Sequence, residues 1–398
     1  MRSIASFSLI LLFTGPAGLA AQAEVPLWRV EPAARAGTGE GAGALTPISD
    51  LTVGRDGTLY VSQPQEHVVK IYRADGRYLR SLGREGEGPG EFAQPTTLGW
   101  RGDSLWVADP AQARISLFRP DGTFVRAITF SHASQVTEGR TNIPAYLLSD
   151  GSVLGWWQAP LQLLSQGRPV SSPMVRFTPR GEPINVMARR ESRNEFGEIV
   201  EGNSRTYFPQ AFTDSPLEAV APDGSGVVIV RRDAATRAGR TTFHVRRMDA
   251  SGRVTLSRNY SYVPIPLSSA AVDRALDEHE SALGDTRIRT PEAAVLRREL
   301  RRHLYRPRFL PPVTALVLGR DGTIWLRREE LGRPMAWWHV LDPGGRIIGR
   351  AWVPARLSVR YADRTQLWGI EHDELGVPTL VRFRIVRRGD RWPDYLRR

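Results

Sequence analysis

Site chemistry needs convergent groups, so the carboxylates, histidines and tryptophans of this sequence are the first residues to weigh. Its seven histidines are scattered at His67, His132, His244, His279, His303, His339 and His372. None forms H-x-x-x-H or H-E-x-x-H, the spacings that bring two imidazoles to one metal ion. There is no G-x-S-x-G elbow and no S-x-x-K, so covalent hydrolysis has no nucleophile in a recognisable setting. Glu371, Asp373 and Glu374 cluster in "EHDELG" without the spacing of an EF-hand loop, and a solvated turn is expected there. The chain has no cysteine, which excludes disulfides, thiolate metal ligands and cysteine nucleophiles. Tryptophans are plentiful at eleven, with pairs at Trp156-Trp157 and Trp337-Trp338. Such rings can stack on sugars. Neighbours on a strand point to opposite faces, so one ring of each pair is expected in the core and the other outside.

One stretch resembles a phosphate cradle, "GREGEGPGEF" at 83–92. The dinucleotide fingerprint G-x-G-x-x-G fails in it, because Glu91 stands where the third glycine belongs. Glu85, Glu87 and Glu91 would also repel phosphate. The stretch reads instead as a bridge between two structural units, with Phe92 expected to plug the seam.

Those units are repeats. "TLYVS" at 58–62 recurs 46 positions later as "SLWVA", and Asp75-Gly76 recurs at the same interval as Asp121-Gly122. "LLSDGSVLGW", "VAPDGSGVVIV", "LGRDGTIWLR" and, more weakly, "YADRTQLWGI" continue the series. Asp-Gly turns between alternating apolar runs mark antiparallel hairpins. Four such strands in ~45 residues make one blade of a β-propeller. The expected fold is therefore all-β: a six-bladed β-propeller of four-stranded antiparallel blades, at about 46–83, 94–130, 143–188, 212–262, 312–353 and 356–388. "PLWRV" at 26–30 is a spare strand that can pair with the last blade and close the ring.

Between blades four and five the Asp-Gly rhythm stops, and a helical insertion is expected at 268–306. Ser268 or Ser269 can cap a first helix carrying Val272, Leu276 and Leu283 and ended by Gly284. Thr290-Pro291-Glu292 opens a second, with Leu296, Leu300 and Leu304 at a spacing of four.

The run from Gly83 to Thr123 resembles the NHL repeat. It carries Gly-Pro-Gly-Glu-Phe at 88–92, Pro95, "DSLWVAD" at 103–109, Arg114-Ile115, Phe118 and Asp121-Gly122. Blade one matches in part, with Gln63 at the position of Asp109 and Val68 at that of Arg114. The tail from "DGTIWLR" to "DELGV" is similar to the last blades of exported bacterial six-bladed propellers. The resemblance implies a fold and little chemistry. Related propellers include metal-dependent lyases and lactonases, which hold a metal in the channel with side chains from several blades.

Stacking the inner strands on their turns tests that possibility. The first column is Asp50, Thr96, Pro144, Leu217, Ala315 and Leu357. The second is Leu51, Thr97, Ala145, Glu218, Leu316 and Ser358, and the third is Thr52, Leu98, Tyr146, Ala219, Val317 and Val359. No column holds two carboxylates or a histidine, while a metal needs three or four convergent ligands. No metal, cofactor or catalytic residue is expected. Asp50, Thr96 and Glu218 are the channel-mouth candidates for binding.

Arg2, the apolar run Ile4–Phe13 and Ala21-Gln22-Ala23 have the pattern of a signal peptide over residues 1–23. It predicts a secreted or periplasmic protein, not a lipoprotein, with no transmembrane segment after cleavage. The formal charge of +12 comes almost wholly from arginine, Lys70 being the only lysine. That skew fits a GC-rich genome, and the arginines are dispersed, so nucleic acid is not an expected partner. A monomeric, exported, non-catalytic binding or scaffold protein is expected, recognising a protein, peptide or surface polymer on one propeller face. The alternatives are a metal-dependent lactonase- or lyase-like hydrolytic enzyme with its site at the channel mouth, and a carbohydrate-binding propeller.

Overall fold

The computed structural model describes residues 25–130, 136–137, 140–284, 293–328 and 334–387. The expected signal peptide, His132 and Thr290-Pro291-Glu292 lie outside them. Strand β1 (Leu27–Ala36) is followed by a four-stranded antiparallel sheet of β2 (Leu51–Val53), β3 (Leu59–Gln63), β4 (Val68–Tyr72) and β5 (Tyr78–Leu82). The next sheet holds β6 (Leu98–Arg101), β7 (Ser104–Asp109), β8 (Arg114–Phe118) and β9 (Phe124–Thr129). A five-stranded sheet follows, of β10 (Val136–Thr137), β11 (Arg140–Leu147), β12 (Val153–Trp157), β13 (Val170–Phe177) and β14 (Pro183–Ser192), with the short helix α1 (Leu161–Leu164) inside it.

After a two-stranded ribbon of β15 (Phe196–Glu201) and β16 (Ser204–Pro209) comes the sheet of β17 (Leu217–Val220), β18 (Gly226–Arg231), β19 (Thr241–Asp249) and β20 (Val254–Tyr262). Helices α2 (Ser269–Gly284) and α3 (Ala293–His303) precede β21 (Ala315–Leu318), β22 (Ile324–Arg328), β23 (Met335–Leu341) and β24 (Ile347–Pro354). The last strands are β25 (Ser358–Ala362), β26 (Gln366–His372) and β27 (Pro378–Val386).

The chain is all-β with a propeller-like arrangement. Each sheet runs outward from an inner strand (β2, β6, β11, β17, β21 or β25), and the inner strands neighbour one another: β2 touches β6 and β25, β6 touches β11, and β21 touches both β17 and β25. The expectation of six separate four-stranded blades is met in part. Among the described residues three four-stranded sheets, the five-stranded β10–β14 sheet and the β15–β16 ribbon stand alone, while β21 to β27 and β1 run on as one eight-stranded sheet in the order β21-β22-β23-β24-β1-β27-β26-β25. The join is β1. It pairs antiparallel with β27 from Arg29 to Ala36 and parallel with β24 only at Leu27 and Trp28.

The core lies in the seams between sheets. Tyr60, Val69, Leu82, Phe92, Leu98, Leu105 and Phe118 form one such cluster. The bridge at 83–92 serves that seam: Phe92 is fully buried, its ring 5.8 Å from that of Phe118. Gly83 and Gly90 take positive φ there, which suits a tight bridge. The Arg114 guanidinium holds the bridge by donating to the carbonyls of Glu87 (2.7 Å), Gly88 (3.1 Å) and Glu91. Asp109, also fully buried, accepts from the backbone N–H of Ala93 (2.7 Å), Gln94 (3.1 Å) and Gln112 (3.3 Å). One sheet earlier, Gln63 stands at the same place and accepts from the N–H and hydroxyl of Thr46.

The two tryptophan pairs differ. Trp338 is 2% exposed and Trp337 half-buried, as alternation requires. At Trp156-Trp157 both rings are half-buried, because Trp156 stacks on Tyr146 at the channel (centroids 5.5 Å apart).

Candidate functional site

The inner strands enclose a cavity of about 190 Å³. Its walls include Asp50, Leu98, Trp106, Tyr146, Glu218, Val317 and Arg360, drawn from successive sheets. Two of the three sequence candidates, Asp50 and Glu218, are brought together in this lining. Thr96 is not among the lining residues: its hydroxyl turns to its own sheet and donates to the Ala108 carbonyl at 3.3 Å.

Asp50 ends the bridge into β2, and its carboxylate accepts from Leu51 N–H (2.8 Å) and from Leu98 N–H on the neighbouring β6 (3.3 Å). It thus staples two inner strands. Burial nevertheless dominates and pushes its pKa up to about 6, against those two bonds and the nearby Arg360. Glu218, on β17, is pushed up to about 7 by burial, with Arg190 opposing and Glu195 assisting. Arg190 Nε lies 2.8 Å from Glu218 Oε1, an ion pair whose alignment falls short of a hydrogen bond. Arg190 also binds Glu195 through its other nitrogen. The Tyr146 hydroxyl is raised by burial first and then by the charges of Asp50 and Glu218, with which it shares the cavity lining.

Tyr146 stands in the third column with Leu98 and Val317, which also line the cavity, whereas Arg360 lies one position beyond that column. β11 carries a bulge between Pro144 and Tyr146, and β25 carries one between Val359 and Tyr361. A bulge inserts one residue and re-aims the side chains beside it, so the inner-strand register slips where these two residues enter the lining. Pro in "NIPAYLL" is the available sequence signal for the first bulge, since proline inside a strand favours one.

The cavity has distinct ends. Counted from the inner strands β2, β6, β11, β17, β21 and β25, the links to the next sheet and the links from second to third strand emerge on one face; the tight turns after the inner strands emerge on the other. Asp50 precedes β2 and Glu218 is second in β17, so both carboxylates lie toward the face of the links. At the opposite end the Pro222 carbonyl accepts from Trp100 N–H on β6 at 2.7 Å. That bond skips over β11 and ties a turn across the channel.

The ribbon β15–β16 and helices α2 and α3 belong to links and so extend the Asp50 face. They share one apolar cluster that includes Ile199, Phe208, Phe212, Val272, Leu276, Leu296, Leu300 and Leu304. The Gln210 side chain joins them, donating to His303 carbonyl (2.8 Å) and accepting from Tyr305 N–H (2.7 Å). Below this assembly Arg232 is 5% exposed. It donates to the Ser215 (2.6 Å) and Val313 (3.0 Å) carbonyls, and burial brings its pKa down to about 10.

A channel metal would need at least three oxygen or nitrogen ligands. The lining offers two carboxylates, each facing an arginine. Among the described residues no group of three His, Asp or Glu side chains converges to hold an ion. The residues do not fit a channel metal. At "EHDELG", Glu371 pairs with Arg35 (3.0 Å), and Asp373 accepts from Leu375 and Val377 N–H (both 2.9 Å), closing a turn. Among the described residues no helix is long and apolar enough to cross a membrane.

No protein-family model matches the chain, the NHL repeat included, and no curated protein matches it. Some solved structures are similar to the chain over most of its length. Virginiamycin B lyase from Staphylococcus aureus is 12% identical with a TM-score of 0.40, covering 90% of this chain and 100% of its own. A DUF4221 family member from Bacteroides vulgatus is 11% identical with a TM-score of 0.47, covering 92% and 100%. Regucalcin, a calcium-binding protein from Agrobacterium tumefaciens, is 11% identical with a TM-score of 0.38, covering 91% and 97%.

Proposed function

We propose that this chain is an exported, NHL-like, six-bladed propeller that binds a protein, peptide or surface polymer on the face bearing Asp50 and Glu218, without catalysis. The observation that carries the reading is one of placement. The ribbon β15–β16 and the two helices, which depart from the four-strand rhythm, both extend the face where Asp50, Tyr146 and Glu218 line the channel. Loops that elaborate one face of a rigid scaffold are where binding is expected.

The six-blade count reads the eight-stranded sheet as two blades fused by β1. It is supported by apolar clusters on either side of that join: one shared by β21–β24 with β25–β27, the other by β25–β27 with β2–β4. On this count the helices are a hairpin inserted between blades four and five, and the signal-like first 23 residues direct export.

The test uses the chain without residues 1–23, presented with immobilised peptides and envelope polymers. Saturable binding is expected, weakened about tenfold in a D50N/E218Q variant through lost contacts to the mouth. A second reading, a hydrolytic enzyme at the same mouth, is favoured by one observation: two carboxylates whose pKa values of about 6 and 7 suit proton transfer near neutrality. Turnover of lactones or esters that D50N abolishes, without ligand binding in the first assay, would establish the enzyme and sink the binding reading.

A further inference from the structure

Away from the channel, cations and aromatic rings gather in the outer seam between the β17–β20 sheet and β22–β24. Strand register sets the array. Arg328 on β22 stands opposite Trp337 on β23, which stands opposite Trp352 on β24. The next row on the same side is Leu326, His339 and Arg350. Across the seam, Arg328 lies 5.7 Å from the Phe243 ring centroid and 5.4 Å from that of Tyr262. The Trp337 and Trp352 centroids are 3.9 Å apart, and both rings are half-buried.

Two features of this seam call for a ligand. First, among the described residues, positive charge gathers there without a carboxylate partner. Among the described residues no carboxylate pairs with Arg328 or Arg350, and both guanidinium groups bear on His339. The acid that acts on Tyr262 is Asp233, already held by Arg193 and by Arg231 at 3.6 Å. Secondly, Tyr262 is 5% exposed, yet its hydroxyl has no hydrogen-bond partner among the described residues. A buried hydroxyl left unpaired costs about 1–3 kcal/mol, and an oxyanion beside Arg328 would supply its acceptor. His339 is driven down to about 4 by burial and by the two arginines, so at neutral pH it can donate one hydrogen bond without adding charge.

We propose that this seam binds an acidic saccharide: Arg328, Arg350 and Tyr262 hold the oxyanion, and Trp337 and Trp352 receive the sugar ring. Guanidinium forks match planar or tetrahedral oxyanions, and tryptophan faces offer an apolar surface to a pyranose. The site is independent of the channel mouth and requires nothing of it.

Carboxylated and sulfated sugars share this chemistry, so two probes separate them: trigalacturonate and a sulfated galactose oligomer, titrated calorimetrically into the full chain. Saturable binding of at least one is expected, and the one that binds identifies the oxyanion. R350Q alters an exposed side chain and is expected to weaken binding about tenfold with unchanged melting. W352A is expected to do the same, and neutral trigalactose to bind at least about tenfold more weakly. Failure of both acidic probes to bind the wild type would overturn the proposal. So would equal affinities for wild type, R350Q and W352A. Because D50N/E218Q leaves the seam untouched, acidic-saccharide binding that survives in that variant separates this site from the channel.

Discussion

Asp50 and Glu218 bind their protons more tightly in the folded chain than in the unfolded one, because burial penalises their charged forms. The sign of the linkage follows. The folded state gains relative stability at low pH and loses it as pH rises from about 3.8 to about 6 for Asp50, and from about 4.5 to about 7 for Glu218. Glu218→Gln should therefore flatten the fall in stability between pH 4.5 and 7, read as urea midpoints across that range. A slope equal to that of the wild type would show that Glu218 is solvated. Both carboxylates were legible in the sequence as exceptional residues on inner strands. Thr96 shared the column of Asp50 but had a nearer acceptor in the Ala108 carbonyl. Tyr146 stood in the third column with the wall residues Leu98 and Val317 but carries no charge to single it out, and Arg360 lay one position beyond that column, beside the β25 bulge. Arg190, the counter-charge to Glu218, comes from β14 and has no sequence relation to β17.

Among the elements, the bridge at 83–92 behaves as its glycines and Phe92 suggest, and Asp109 is its fixed point. Asp109→Ala would strand three backbone N–H groups, two of them in the approach to β6, and should cost about 2–4 kcal/mol. Asp109→Gln should recover part of it, since Gln63 does similar work one sheet earlier. Equal midpoints for all three proteins would refute the assignment. The ribbon and helices are a second fixed assembly. Leu300 is fully buried among them, so Leu300→Ala should cost about 2–5 kcal/mol. Amide exchange should accelerate in α3 and β15 ahead of the strands around the channel; uniform acceleration would mean that the assembly does not open separately. The helices were legible from leucines at a spacing of four. The ribbon closes at "EGNS", where Glu201 faces Ser204, a two-residue hairpin signal between two alternating runs that falls outside the long repeat period.

For the molecule as a whole, the repeat period and Asp-Gly turns were enough to read an all-β propeller-like chain, since local turn chemistry fixes the hairpins. Where the sheets divide was harder to read, because it depends on a strand far away in sequence. Trp28 shows what that strand contributes. It is 3% exposed, and its ring meets that of Trp325 at 5.7 Å in an edge-to-face contact. Trp28→Ala should lower stability by about 3–5 kcal/mol in a single cooperative transition. A second, separate transition for β21–β27 would show that the join carries little.

That join also sets an order in time. Glu31 pairs with Arg384, 353 positions later. The first strand of the ring cannot be seated until the last has been synthesised. A nascent chain can build its local hairpins one after another, but β1 must wait, unpaired and with Trp28 uncovered, for β27. Closing so long a loop is slow compared with forming hairpins. The finished ring thus works as a completion check: a chain truncated before β27 keeps most of its sheets and leaves β1 without its antiparallel partner.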